Sequence, residues 1–178
     1  MKHAILFSAM AALCLLPGPH MAARAQSTPQ TPAIIKKGNS MTLHARGPFE
    51  VKLNPQKPDN PPAESAALGR MSIDKQFHGD LDATSKGEML AAGTEVKGSA
   101  GYVAMERVSG TLHGRSGSFV LQHNATMTRG VPYLNIIVVP DSGTGELAGL
   151  TGTMNIIIAD GGKHSYEFDY TLADKPGG

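Results

Sequence analysis

The sequence predicts an all-β domain, a single small antiparallel β-barrel of about eight strands, and three observations carry that expectation. Eight segments between residues 41 and 172 show apolar–polar alternation or β-branched runs, the period-2 signature of half-buried strands. Most connections between them are too short for crossovers between parallel strands, which need a dozen or more residues, so neighbours in sequence become antiparallel neighbours in space. No convincing long amphipathic helix interrupts the series, and the chain's 21 glycines supply the turns and bends of a small closed barrel. An open sandwich is the second architecture.

The elements follow in order. MTLHARGPFEVKL (41–53) is the first strand. NPQKPDNPPAESAA (54–67) holds four prolines, which donate no ladder hydrogen bonds, and is expected to be a long loop. LGRMSIDKQFHG (68–79) and LDATSKGEMLAAG (81–93) are the second and third strands. GYVAMERVSGTL (101–112) and GSFVLQHNATM (117–127) are the fourth and fifth, joined by a loop read as His113 to Ser116. YLNIIVVP (133–140) is the sixth, and PDSGTGELAGLTG (140–152) after it has room for one helical turn over 145–149. TGTMNIIIA (151–159) and HSYEFDYTL (164–172) close the series through Asp160-Gly161-Gly162-Lys163, where glycine provides the positive φ of a tight hairpin.

Ahead of the strands, one lysine, an apolar stretch from Ala4 to Leu16, a Pro-Gly break and Ala23-Arg24-Ala25 form the layout of a secretory signal peptide over 1–25. The apolar stretch is too short to span a bilayer, so no integral membrane span is expected after cleavage. Residues 26–39 read as a flexible leader, and 40–178 as one domain. The expected location is secreted or periplasmic. Cleavage removes Lys2 and Arg24, leaving 14 basic against 15 acidic side chains, and also removes the single cysteine. So even an overall balance argues against a nucleic-acid binder and against a polybasic membrane grip. It also has no disulfide or thiol nucleophile, so the core alone must hold it.

Few motifs carry chemistry. Gly143-Thr-Gly145-Glu-Leu-Ala-Gly149 has the wrong spacing for a dinucleotide turn and no long helix after it. His44, His78, His113, His123 and His164 are not paired at metal-ligand spacing, so neither a metal nor a cofactor is expected. Asp80 and Asp82, like Glu167 and Asp169, share a face but alternate with apolar residues. Both pairs are read as solvated surface.

The stretch ERVSGTLHGRSGSFVLQH (106–123) is the exception. Alternation puts Tyr102, Ala104, Glu106, Val108 and Leu112 on the inner row of one strand and Phe119, Leu121, His123, Ala125 and Met127 on that of the next. A four-residue loop would set Leu112 against Gly117 and Glu106 against His123, a carboxylate beside an imidazole inside the barrel. A one-residue slip would send Arg107 there instead. Burying either charge alone is costly, so the pair is read either as a satisfied structural contact or, with Tyr102, as the ligand-binding candidates of a polar spot in a cavity.

From Thr42 to Leu172 the chain resembles the bacterial domain-of-unknown-function family number 3224. The stretches that carry the likeness are GPFEVKLNPQ (47–56), LGRMSIDKQFHGDLDATSKGEML (68–90), GSAGYVAMERVSGTLHGRSGSFVLQH (98–123), VVPDSGTGELAGLTGTM (138–154) and GKHSYEFDYTL (162–172). The leader and the proline-rich stretch are its departures. That resemblance implies a fold like the allene oxide cyclases, eight-stranded barrels of the wider lipocalin-like type, and it implies no activity, because a shared fold does not transfer function.

The leading expectation is a non-enzymatic barrel that binds a small, largely apolar ligand, for which an interior cavity of at least about 300 Å³ is required. An isomerase or cyclase of the allene oxide cyclase kind, with Glu106, His123 and Tyr102 moving charge or protons on an oxidised lipid, is the rival. A structural barrel without ligand, associating side by side as a homo-oligomer, is the third.

Overall fold

A computed structural model describes residues 41–57 and 68–172. Eight strands form: β1 (Leu43–Gln56), β2 (Leu68–Phe77), β3 (Leu81–Gly93), β4 (Ala100–Leu112), β5 (Arg115–Thr128), β6 (Val131–Val138), β7 (Thr151–Ile158) and β8 (His164–Thr171). A single 3-10 turn, Gly145–Leu147, lies between β6 and β7. The strands pair in sequence order and β8 returns to β1, which closes the barrel. The sequence-based fold class is therefore the observed one. The expected signal peptide (1–25), the leader (26–39) and residues 58–67 of the proline-rich stretch lie outside the described residues.

Two boundaries differ from the sequence reading. First, β1 runs into the proline-rich stretch, with Asn54, Pro55 and Gln56 paired to Ser72, Met71 and Arg70. Beyond Phe49 the strand has no β8 partner, and a proline that donates nothing is tolerated where one side of the ladder is empty. Second, the β4–β5 connection is two residues, His113 and Gly114, not four. Both adopt positive φ, 46° and 77°, the conformation that a two-residue turn needs to match the strand twist. Leu112 consequently pairs with Arg115, and every partner shifts by two.

The barrel has two unlike ends. At the base, where β2 meets β3 and β4 meets β5, the interior is packed solid with Phe77, Leu81, Leu112, Phe119, Tyr166 and Phe168. Phe119 stacks on Phe168 with ring centres 5.7 Å apart, and Phe77 meets Tyr166 edge-on at 5.6 Å. The β6–β7 connection adds Leu147 and Leu150, both fully buried, so the loop that could have been flexible is fastened to this core. Burial on this scale is worth about 1.5–3 kcal/mol per large side chain. The Tyr166 hydroxyl accepts a hydrogen bond from the Leu81 amide at 2.8 Å and donates to the His78 carbonyl at 3.0 Å. Those bonds tie β8 to the β2–β3 turn. At the other end, the mouth, the inward rows finish in smaller or flexible residues such as Met71, Met89 and Ala91, and the interior opens.

Candidate functional site

Between the solid base and the open mouth lies a layer of buried polar side chains. Glu106, on the inward row of β4, has no exposed surface. Lys75 from β2, Ser85 from β3 and His123 from β5 are the other buried polar residues among those described. The residue opposite Glu106 on β3 is Gly87, where a Cβ would come within 2.9 Å of the Glu106 Cα. Glycine leaves the room that the β4 backbone at Met105 and Glu106 occupies.

Each Glu106 oxygen is engaged. Lys75 Nζ donates to Oε2 at 2.7 Å, and Ser85 Oγ donates to Oε1. His123 Nε2 lies 2.9 Å from Oε2, yet the contact is close without being aligned, and Nε2 has no hydrogen-bond partner among the described residues. The Lys75 ammonium also sits over the rings of Phe49 and Phe77, 5.2 and 5.5 Å from their centres, where the ring faces favour a cation.

Burial by itself pushes the Glu106 carboxyl up. The adjoining His123 ring, the Lys75 charge and hydrogen bond, and the Ser85 hydroxyl outweigh it and hold the group down at about 2. Of these, the Lys75 and Ser85 contacts are aligned hydrogen bonds, and they keep the carboxylate ionised. Glu106 is thus a carboxylate at neutral pH, ion-paired with Lys75 inside the protein.

The three sequence candidates separate here. Glu106 and His123 do meet, although not as directly facing residues. Glu106 pairs with Leu121 and His123 with Ala104, so the side chains touch on the diagonal. Arg107 is exposed and donates to the Ser118 hydroxyl at 3.0 Å. Tyr102 lies one layer nearer the mouth, its ring centre 6.5 Å from that of His123. Burial, and then the Glu106 charge, raise the Tyr102 phenol, which keeps it a neutral donor at physiological pH. Sequence reasoning missed Lys75 and Ser85, although both stand on rows that alternate with apolar residues, Lys75 between Ile73 and Phe77 and Ser85 after Leu81 and Ala83.

Above this layer a cavity of about 410 Å³ opens at the mouth, lined by Met71, Met89, Tyr102, Ala125, Met127 and Leu134 among others. Tyr102 is the only one of the three candidates in its wall; Glu106 and His123 lie beneath. A broader groove of about 960 Å³ runs over the outer face of β3 and β4 at Leu90, Val103 and Met105.

A second polar cluster lies at the base. Asp80, read from the sequence as solvated surface, is half-buried. Its Oδ2 accepts from the Arg46 amide at 2.9 Å and its Oδ1 lies 3.6 Å from His113 Nε2. The β2–β3 turn brings the carboxylate back onto β1, which covers part of it. Asp82, Glu167 and Asp169 are exposed. His44 pairs with Asp169 at 2.7 Å and His78 with Glu50 at 2.8 Å. Among the described residues no three His, Cys, Asp or Glu converge to hold a metal ion, and no helix is long and apolar enough to cross a membrane.

Comparison with known proteins agrees with this architecture. A model for a protein of unknown function, DUF3224, matches residues 45–170. A crystal structure of a DUF3224 protein of unknown function from Shewanella oneidensis MR-1 is 51% identical, with a TM-score of 0.70, over 75% of this chain and 100% of that one. No curated protein matches the chain.

Proposed function

The chain belongs to the DUF3224 family of proteins of unknown function, and from that premise we propose that it is a secreted or periplasmic barrel whose mouth takes up a small, largely apolar ligand. The observation that carries this reading is the cavity of about 410 Å³ over the polar layer, a volume within the range of small-molecule sites. Its wall is almost wholly apolar, with the Tyr102 hydroxyl as an orienting donor. Glu106 and Lys75 serve this reading from below: their neutral pair lets a polar floor exist inside the barrel without an uncompensated charge. Native mass spectrometry of protein purified from its own host tests it. A bound species that is released on unfolding is the expected result, and protein that never retains one would sink the reading.

A second reading is an isomerase or cyclase acting on an oxidised lipid, and Tyr102 favours it. Its hydroxyl has no hydrogen-bond partner among the described residues and it borders the cavity, so it is free to polarise a ligand oxygen. In that reading Tyr102 is the residue that meets substrate, and Glu106 and His123 are positioning residues. Turnover of an epoxide or lipid substrate that is lost in Tyr102→Phe, with the barrel intact, distinguishes the two.

A further inference from the structure

The described connections at the two ends of the barrel differ in charge, as the ends differ in packing. Three mouth connections are described: residues 94–99, 129–130 and 159–163. They carry Lys97, Arg129 and Lys163 against two acids, Glu95 and Asp160. Among the described residues none of these cations is in an ion pair. The base connections, 78–80, 113–114 and 139–150, carry Asp80, Asp141 and Glu146 and no lysine or arginine. Among these connections the cations lie at the open end and none at the base, and the fourth mouth connection, residues 57–67, adds Lys57, Asp59 and Glu64 in the sequence.

Each of the three mouth connections also presents a large apolar side chain to solvent: Val96 on the first, Val131 beside the second and Ile158 at the start of the third, with exposures of 49%, 70% and 65%. Tyr133, 60% exposed, follows Val131. The connections beside them are held by hydrogen bonds from backbone amides. The Gly130 amide donates to the Gly98 carbonyl at 2.9 Å and the Arg129 amide to the Ser99 hydroxyl at 3.1 Å, so two connections are bonded to each other. The third is closed on itself by the Ala159 amide donating to the Lys163 carbonyl at 2.9 Å.

Aliphatic tips interleaved with cations and a tyrosine, on separate turns around an opening, fit one kind of surface. Apolar tips enter the boundary between headgroups and acyl chains, while cations a few ångströms away meet anionic headgroups. A protein partner of ordinary size instead wants a continuous face of about 800 Å², and the mouth has a hole at its centre. We propose that the mouth docks on a lipid bilayer containing anionic headgroups, with Val96, Val131 and Ile158 inserted and Lys97, Arg129 and Lys163 at headgroup level. The cavity then opens against the membrane rather than against water. The inference does not depend on the cavity being occupied.

The chain contains no tryptophan, which allows a local reporter to be placed at either end of the full-length protein. Val131→Trp reads the mouth, and Asp82→Trp reads the exposed outer wall near the base, whatever the N-terminal segment does. With vesicles of phosphatidylglycerol and phosphatidylcholine, the Val131→Trp emission shifts to the blue and is quenched by brominated lipid, while the Asp82→Trp emission stays put. Replacing Lys97, Arg129 and Lys163 together by Glu weakens the Val131→Trp titration about tenfold or more, and phosphatidylcholine alone supports little binding. The proposal is overturned if Val131→Trp is unmoved or both reporters shift alike. A shift that appears without lipid as protein concentration rises also overturns it, since it assigns the mouth to self-association.

Discussion

Glu106 and His123 stand on adjacent strands two residues out of register, and their side chains meet on the diagonal, with Nε2 2.9 Å from Oε2. The directly facing positions are a leucine and an alanine, so neither group has a polar partner straight across. The carboxylate draws its support from Lys75 and Ser85, on the other side of β4.

Removing the carboxylate while leaving the ammonium strands a buried cation. Glu106→Gln is expected to destabilise the barrel by about 3–5 kcal/mol, whereas the pair Lys75→Met with Glu106→Leu recovers most of that loss, because a well-packed apolar substitute avoids desolvating two charges. Urea denaturation of both variants checks this. A loss under about 1 kcal/mol in Glu106→Gln would show that Lys75 finds another partner.

The Glu106 carboxyl titrates at about 2 in the folded protein against an ordinary 4.5. A depressed carboxylate stabilises the fold above its unfolded value, and that contribution disappears as pH falls from about 4.5 towards 2. The difference corresponds to about 3 kcal/mol at neutral pH. Stability measured against pH should fall across that window in the wild type, and the gap to Glu106→Gln should narrow there. A gap that stays constant down to pH 2 contradicts the assignment.

Gly87→Ala places a Cβ 2.5 Å from the Met105 carbonyl oxygen and 2.9 Å from the Glu106 Cα. Both are backbone atoms that give little. Overpacking of this kind costs roughly 1–3 kcal/mol, and thermal melting should register it. Gly69→Ala, where a Cβ meets nothing within 4 Å, is the control and should leave the melting temperature nearly unchanged.

Tyr166→Phe deletes a hydroxyl that satisfies both the Leu81 amide and the His78 carbonyl. A buried amide left without an acceptor costs about 1–3 kcal/mol. Amide hydrogen exchange should show Leu81 and its neighbours losing protection before the rest of the barrel.

Ala91→Trp puts a large ring into the cavity wall at the half-buried mouth end of β3. A fluorescent apolar probe that binds the wild type should lose its signal in this variant, with the melting temperature within a few degrees. Equal probe binding in both proteins would place the probe outside the cavity.

Alternation made most of this architecture legible. The inward rows of β4 and β5 follow from period-2 reading alone, and the two-residue error in the β4–β5 turn did no harm to them, since a shift of two keeps every side chain on its own face. Register was harder, because His113 in a left-handed conformation is a rare state for a non-glycine residue, and Ser116 and Gly117 resemble turn residues as much as Gly114 does. Lys75 escaped notice for a different reason. A lysine in a strand is ordinarily solvated, and only its spacing from Ile73 and Phe77 marks it as inward. The cavity was not legible at all, since it arises where rows from several strands thin out together at one height.

The seam between β1 and β8 has a consequence for how this chain is made. Leu43 to Phe49 pair with His164 to Tyr170, so the ladder that closes the barrel joins the first strand to the last. A ribosome must release nearly the whole domain before that seam can form, and such distant pairing is slow. Until then β1 and β7 have no β8 to pair with, and the nascent chain remains open to chaperones.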